Sequence, residues 1–178
     1  MITIDELRKL GGYPHYLGLG VIKCRIGKDE AYHFWSDRSP VLVNQIHDHR
    51  FGFTSTVIKG VLKNMVFVID GQDPDSVLQV ERGECKEGAE REILVPNAKM
   101  KEVINFTTAP GESYHIEHDT LHQVELMTPK VITHLKKEPF SQVAPRYVVD
   151  TSIPRVCAMS QPKSQDECWE IIEYTLSL

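Results

Sequence analysis

Cysteine is scarce in this sequence, and the few cysteines present lie far apart. The 178 residues contain four, which are Cys24, Cys85, Cys157 and Cys168. No CxxC spacing occurs, so the thiols match neither a structural zinc site nor the dense disulfide framework of a small secreted domain. We therefore expect them to be reduced and mostly buried. A chain of this length buries roughly two-thirds of its unfolded surface, so it needs neither disulfides nor a structural metal to form a core. Any bound metal is therefore expected to take part in catalysis.

Long apolar runs and clusters of basic residues are also absent. No stretch approaches the roughly 20 apolar residues of a membrane span, and the first residues carry charges where a secretory signal would be apolar. Lys and Arg number 20 against 25 Asp and Glu, and the longest basic run is the pair Lys136 and Lys137. Nucleic-acid affinity depends on clustered cations. We therefore expect a cytoplasmic protein that binds neither nucleic acid nor a membrane.

Short segments rich in β-branched and aromatic residues dominate the sequence from about residue 31 to about residue 150. Turn-forming residues separate these segments, and little room is left for helices between them. Many closely spaced strands are typical of an antiparallel all-β sandwich or barrel. We read the charged segment Arg82–Asn97 as an excursion from this barrel, either a hairpin or a long loop.

Helices are predicted only at the two ends of the chain. Residues Ile4–Leu10 form a short helical candidate that Gly11 and Gly12 terminate. Ser164 and Glu167 match a capping box, which predicts a second helix over about 164–177. The sequence thus predicts a single domain spanning 1–178, whose barrel core covers about 31–150.

Two of the eight histidines lie two residues apart, in the segment Val41–His49. If this segment is a strand, its period of two places His47 and His49 on one face, with Gln45 one pleat earlier. Two imidazoles in this arrangement can share one metal ion, and neutral imidazole suits Fe, Cu, Ni and Zn. Gln45 is a candidate pocket residue because its carboxamide both donates and accepts hydrogen bonds, although plain packing is an equal alternative.

A second segment can supply a third ligand. Reading His122–Leu126 as a strand places His122 on one face with Val124, so that its imidazole can enter the same interior. Three ligands with open positions left over would make a reactive site. The alternative is that these are satisfied core histidines, since a His-x-His pair alone also occurs by chance.

The spacings resemble the two motifs of the cupin superfamily. The first motif is matched by His47, His49 and Gly60, with Phe53 where a glutamate usually stands. The second is matched by Gly111 and His122, with Glu117 for the usual proline and Asp119 for the usual glycine. The resemblance covers roughly residues 31–136. It implies an all-β double-stranded β-helix, the cupin jelly-roll barrel, with a divalent metal inside.

Within the cupins, the chain resembles the cysteine dioxygenase branch of thiol dioxygenases. That resemblance implies a three-histidine Fe(II) site that uses O₂ to oxidise a small thiol or related metabolite. It also places His134 and Lys136 where the branch has a catalytic histidine followed by a tyrosine. We therefore predict that these two side chains orient a substrate oxygen or bound dioxygen.

Four further residues are predicted to bind the substrate. Arg25 and Arg50 are candidates for a carboxylate, which a guanidinium fork recognises well. Phe53 and Tyr114 are candidates for the pocket wall. Two other functions remain open: the same site with Zn, Ni or Mn would suit an isomerase or hydrolase, and a non-enzymatic cupin would only bind a metabolite. An edge strand would allow two subunits to pair as a homodimer.

Overall fold

The structure is a computed structural model that describes residues 2–39, 45–84, 89–154 and 163–177. These residues form two helices and twelve strands. In chain order they are α1 (Ile4–Lys9), β1 (Tyr13–Leu17), β2 (Val21–Arg25), β3 (Glu30–Ser36), β4 (Phe53–Lys59), β5 (Leu62–Gln72), β6 (Leu78–Arg82), β7 (Glu92–Val95), β8 (Ala98–Thr108), β9 (Ser113–Ile116), β10 (Leu121–Leu126), β11 (Lys130–Lys137), β12 (Arg146–Asp150) and α2 (Gln165–Leu176).

The described strands form three antiparallel sheets. The large sheet has the order β1-β2-β3-β11-β4-β9, and the two small sheets have the orders β10-β5-β8 and β12-β6-β7. The predicted all-β class is therefore confirmed. The pairings among the described strands do not close into one barrel, so the jelly roll stays a prediction.

Strand alternation gives the large sheet two differently covered faces. One face carries Phe34 and Ile132, which pack against Leu7 of α1 and Ile172 of α2. We call this the outer face. The opposite face carries a second apolar cluster that includes Trp35, Phe53 and Leu135, and we call it the inner face. Because β11 contributes Ile132 to one face and Leu135 to the other, its odd-numbered residues lie on the inner face.

Both helices begin where the sequence predicts. Thr3 and Ser164 are the N-caps of α1 and α2, and each forms a reciprocal capping box with the glutamate three residues later. The capping residues satisfy backbone N–H groups that have no partner within the helix. These boxes fix the helix starts, and burial on the outer face holds the helices in place.

The charged segment 82–97 belongs to a small sheet. β6 pairs antiparallel with β7, and on its other side with β12. The excursion is thus a hairpin, although residues 85–88 lie outside the described part of the chain. Buried Glu81 pairs with Arg91 at 3.5 Å, which joins the two arms of the hairpin. No helix in the described ranges is long and apolar enough to cross a bilayer.

Candidate metal centre

A backbone bridge brings the two histidine-bearing segments together. The N–H of His47 donates to the carbonyl of His122 at 3.1 Å, and the N–H of His122 donates to the carbonyl of His47 at 2.9 Å. Residues 41–44 of the predicted strand Val41–His49 lie outside the described part of the chain. Residues 45–49 form no continuous strand, but His47 forms an isolated bridge. The bridge places the side chains of both segments on the same side.

The three imidazoles of His47, His49 and His122 converge. One ring nitrogen of each lies within 4.8 Å of the others. The Nε2 atoms of His49 and His122 are 3.0 Å apart, and the ring centroids are 4.8 Å apart for His47 and His49 and 5.1 Å apart for the other two pairs. The structure therefore brings together the three predicted ligands.

Burial keeps all three imidazoles neutral at neutral pH. It lowers the pKa of His122 to about 3, with a smaller contribution from His47. It also holds the pKa of His49 well below the usual value and lowers that of His47. A protonated imidazole has no lone pair to offer, so the neutral form is the one that binds a metal.

The donor atoms fit a divalent metal ion. Nδ1 of His47 lies 2.9 Å from the Gln45 carbonyl, so it carries the proton and leaves the Nε2 lone pair for a ligand bond. The Nε2 separation of His49 and His122 is one that two adjacent ligands of an ion with bonds of about 2.0–2.1 Å can adopt. Three neutral imidazoles without a carboxylate suit Fe, Zn, Ni or Cu better than Mg or Ca.

Two of the three histidines, His47 and His49, open onto a cleft of about 260 Å³ with largely apolar walls. Its lining residues come from the segment 45–51, from the β1–β2 connection and from the segment before and into β12. They are Leu17, Leu19, Gln45, His47, Asp48, His49, Arg50, Phe51, Phe140, Pro145 and Tyr147. A volume of this size admits a small metabolite, and the apolar lining limits access of water to the histidines.

A buried ion pair fixes the histidine segment. Asp48, whose side chain is 4% exposed, accepts from the Arg146 guanidinium and from the Arg146 backbone N–H, both at 2.6 Å. Arg146 also donates to the Asp119 carbonyl just before His122. One guanidinium therefore links both ligand-bearing segments.

Three of the predicted substrate-binding residues line or border the histidines. Gln45 lies in the cleft, but its Nε2 donates to the Val148 carbonyl at 3.3 Å. Arg50 lies in the cleft, and its Nε is buried without a hydrogen-bond partner among the described residues. Buried Phe53 meets His49 edge-on at 5.3 Å between centroids. Tyr114 is buried one layer behind, 6.3 Å from Phe53, and is part of the wall.

The structure does not bring His134 and Lys136 to the histidines. Both lie on the outer face of β11, because the intervening Leu135 belongs to the inner cluster. Nε2 of His134 pairs with Glu30 at 3.1 Å and its ring stacks on Tyr32, while exposed Lys136 pairs with Glu30 at 3.7 Å. The catalytic role predicted for these two residues would need the opposite strand face, so this placement does not support it.

Several residues around the histidines are not apparent from the sequence. Tyr147 stacks on His47 at 6.4 Å and Phe51 stacks on His49 at 5.3 Å. Phe51 follows His49 by two residues, so alternation offers a local signal for it. Tyr147 lies on β12, a hundred residues after His47 in the chain, and no local sequence pattern indicates its contact with His47.

A second group of potential ligands lies on the surface. Nε2 of His115 is 3.3 Å from Glu117 and 3.8 Å from Glu138, and all three side chains are exposed. These distances describe a solvated ion pair. The group of His47, His49 and His122 is the stronger metal candidate because it is less exposed and its surroundings keep its ligands neutral.

No protein-family model and no curated protein matches the sequence. The solved structures that match include hydroquinone 1,2-dioxygenase from Sphingomonas sp. TTNP3 with 4-hydroxybenzoate bound, with a TM-score of 0.37 and 9% identity over 67% of this chain and 70% of that one. They also include a protein assigned as a sugar phosphate isomerase from Acidithiobacillus ferrooxidans ATCC 23270, with a TM-score of 0.42 and 15% identity over 88% and 95% of the two chains. Both TM-scores lie below 0.5, so this likeness supports no conclusion about metal or reaction.

Proposed function

We propose that the protein is a metal-dependent enzyme of the cupin type, a non-haem iron dioxygenase that oxidises a small thiol or related metabolite. The observation that carries the proposal is the convergence of three neutral imidazoles, of which His122 is buried and His47 and His49 line an apolar cleft. The cupin-like spacing of His47, His49 and His122 supports the same assignment. Oxidation of a small thiol is the activity that the resemblance to thiol dioxygenases implies.

Each residue around the centre has a definable task. The three histidines would hold the ion, and the Gln45 carbonyl orients His47 by accepting from its Nδ1. When bound, the ion would provide Lewis-acid polarisation and a common template for the two reactants. Phe51 and Phe53 exclude water from the ligand side of the cleft. Arg50 offers a guanidinium in the cleft that suits the carboxylate of a substrate.

A second candidate keeps the same residues and changes the metal. Three histidines without a carboxylate also form a common catalytic zinc site. In this chain Phe53 stands where a cupin usually has a ligating glutamate, so the donor set does not distinguish Fe from Zn, Ni or Mn. An isomerase or hydrolase that uses the metal as a Lewis acid is therefore the alternative.

Oxygen consumption distinguishes the two candidates. We expect the purified protein to contain iron and to consume O₂ only when a small thiol is added; cysteine, cysteamine and 3-mercaptopropionate form a suitable panel because they differ in charge. His122→Ala should abolish the consumption, while the exposed His118→Ala should retain it. Protein that carries zinc alone and consumes no O₂ with any thiol after iron reconstitution would exclude the dioxygenase and leave the alternative.

A further inference from the structure

Five basic side chains from four neighbouring strands gather on the inner face of the large sheet. They are His15 on β1, Lys23 and Arg25 on β2, His33 on β3 and Lys137 on β11. His15 and His33 flank Lys23 directly in the strand register, and the charges of Lys23, Arg25 and Lys137 all act on His15. We call these residues the basic cluster.

The two lysines of the cluster lie close to one another. Nζ of each faces the same Phe51 ring, and the charge of Lys137 acts on Lys23. Burial, together with the charges of Lys137 and Arg25, lowers the pKa of Lys23 to about 7. A bound anion would favour the charged form of Lys23, since an opposite charge nearby raises the pKa of an amine.

Among the described residues the basic cluster forms no ion pair with a carboxylate, and the charge of Asp29 acts on Lys137 only from a longer distance. No acidic oxygen lies within 4.0 Å of a side-chain nitrogen of Lys23, Arg25 or Lys137. Nδ1 of His15 and Nε2 of His33 are buried and also lack a hydrogen-bond partner among the described residues. Grouping like charges without a counter-ion costs stability, which points to a ligand that supplies the missing negative charge.

One aromatic ring connects the basic cluster to the candidate metal centre. Nζ of Lys137 lies 4.8 Å and Nζ of Lys23 lies 5.8 Å from the centroid of the Phe51 ring. The same ring stacks on His49 at 5.3 Å. The cluster and the histidines therefore lie within the length of a small organic molecule of each other.

We propose that the basic cluster binds the oxyanion group of a small anionic substrate. Ammonium groups act as point charges and bind a phosphate or a carboxylate from different directions. The Phe51 contact places the rest of such a molecule beside His49, where its reacting group would meet the metal. This last step rests on the proposed function, whereas anion binding itself does not.

Calorimetric titration of the full chain at low ionic strength tests the proposal, with inorganic phosphate and acetate as separate probes. We expect saturable binding of at least one anion, weakened about tenfold or more in Lys23→Met and Lys137→Met because the anion loses one of the amines that it pairs with. Lys99→Met is the matched control, since Lys99 is exposed and already paired with Asp70. The anion that binds more tightly identifies the oxyanion as phosphate or carboxylate.

Two results would overturn the proposal: neither anion binds, or both lysine variants bind as tightly as the wild type. Circular dichroism checks that each variant is folded, and either lysine variant suffices if the other does not fold. Repeating the titration with His122→Ala separates the two hypotheses. Anion binding that survives in this variant supports the basic cluster whatever the metal content, while a metal-loaded wild type that binds no anion refutes the cluster alone.

Discussion

At the scale of single residues, Lys23 makes the clearest pH prediction. His15, Arg25, His33 and Lys137 face it and burial isolates it, so its pKa falls to about 7 in the folded chain against about 10.4 unfolded. Between these values the unfolded chain binds the proton and the folded chain does not. The contribution of Lys23 therefore makes the free energy of unfolding rise with pH from about 7 to about 10.

Urea unfolding across this pH range checks the prediction. Lys23→Met removes the titrating amine, so the variant should be more stable than the wild type near pH 7 and should show a flatter pH profile. Lys99→Met should keep the wild-type profile. A wild-type slope that persists unchanged in Lys23→Met would show that another group causes it.

Asp48 is the second residue whose removal has a definite consequence. Its carboxylate is almost fully buried and holds both the backbone and the side chain of Arg146. Asp48→Ala leaves that guanidinium without its partner, and we expect a loss of about 3 kcal/mol in the free energy of unfolding. Asp48→Asn keeps an acceptor for the backbone N–H and should lose less. Equal stability of all three proteins in urea titrations would contradict this account.

At the scale of elements, the docking of α2 on the outer face depends on a few buried side chains. Ile172 is fully buried between the helix and the large sheet, whereas Glu173 beside it is exposed. Ile172→Ala should lower the free energy of unfolding by about 2–5 kcal/mol. Glu173→Ala should change it by less than about 0.5 kcal/mol. Thermal or urea unfolding measures both, and a small effect of Ile172→Ala would mean that α2 is not part of the cooperative core.

Local patterns in the sequence predict where helices and strands lie better than they predict which strands pair with one another. The two capping boxes at Thr3 and Ser164 are local, and alternation and turn residues are sufficient to indicate many strands. The pairing of β3 with β11 joins segments about a hundred residues apart, and no local pattern encodes it. Local sequence also does not determine which face of the sheet a given side chain occupies. A catalytic role for His134 requires the inner face, but the register that buries Leu135 there turns His134 outward, because adjacent residues alternate.

At the scale of the whole molecule, the candidate site combines distant parts of the chain. His47 and His49 come before β4, His122 comes from β10, and Tyr147 comes from β12. The motif spacing indicates the three histidines because it reflects a fold-level arrangement. Apart from Phe51 and Phe53, the aromatic and ionic surroundings are not indicated by the sequence, because they depend on where β12 and the large sheet meet the histidine segment.

The central claim is that His47, His49 and His122 bind one divalent metal ion. Elemental analysis of the purified wild type, His122→Ala and the exposed control His118→Ala tests it most directly. We expect about one ion per chain in the wild type and the control and less than about a tenth of that in His122→Ala, because loss of one of three ligands removes most of the affinity. Full metal occupancy in His122→Ala, or a wild type that binds no divalent metal after reconstitution, would contradict the assignment.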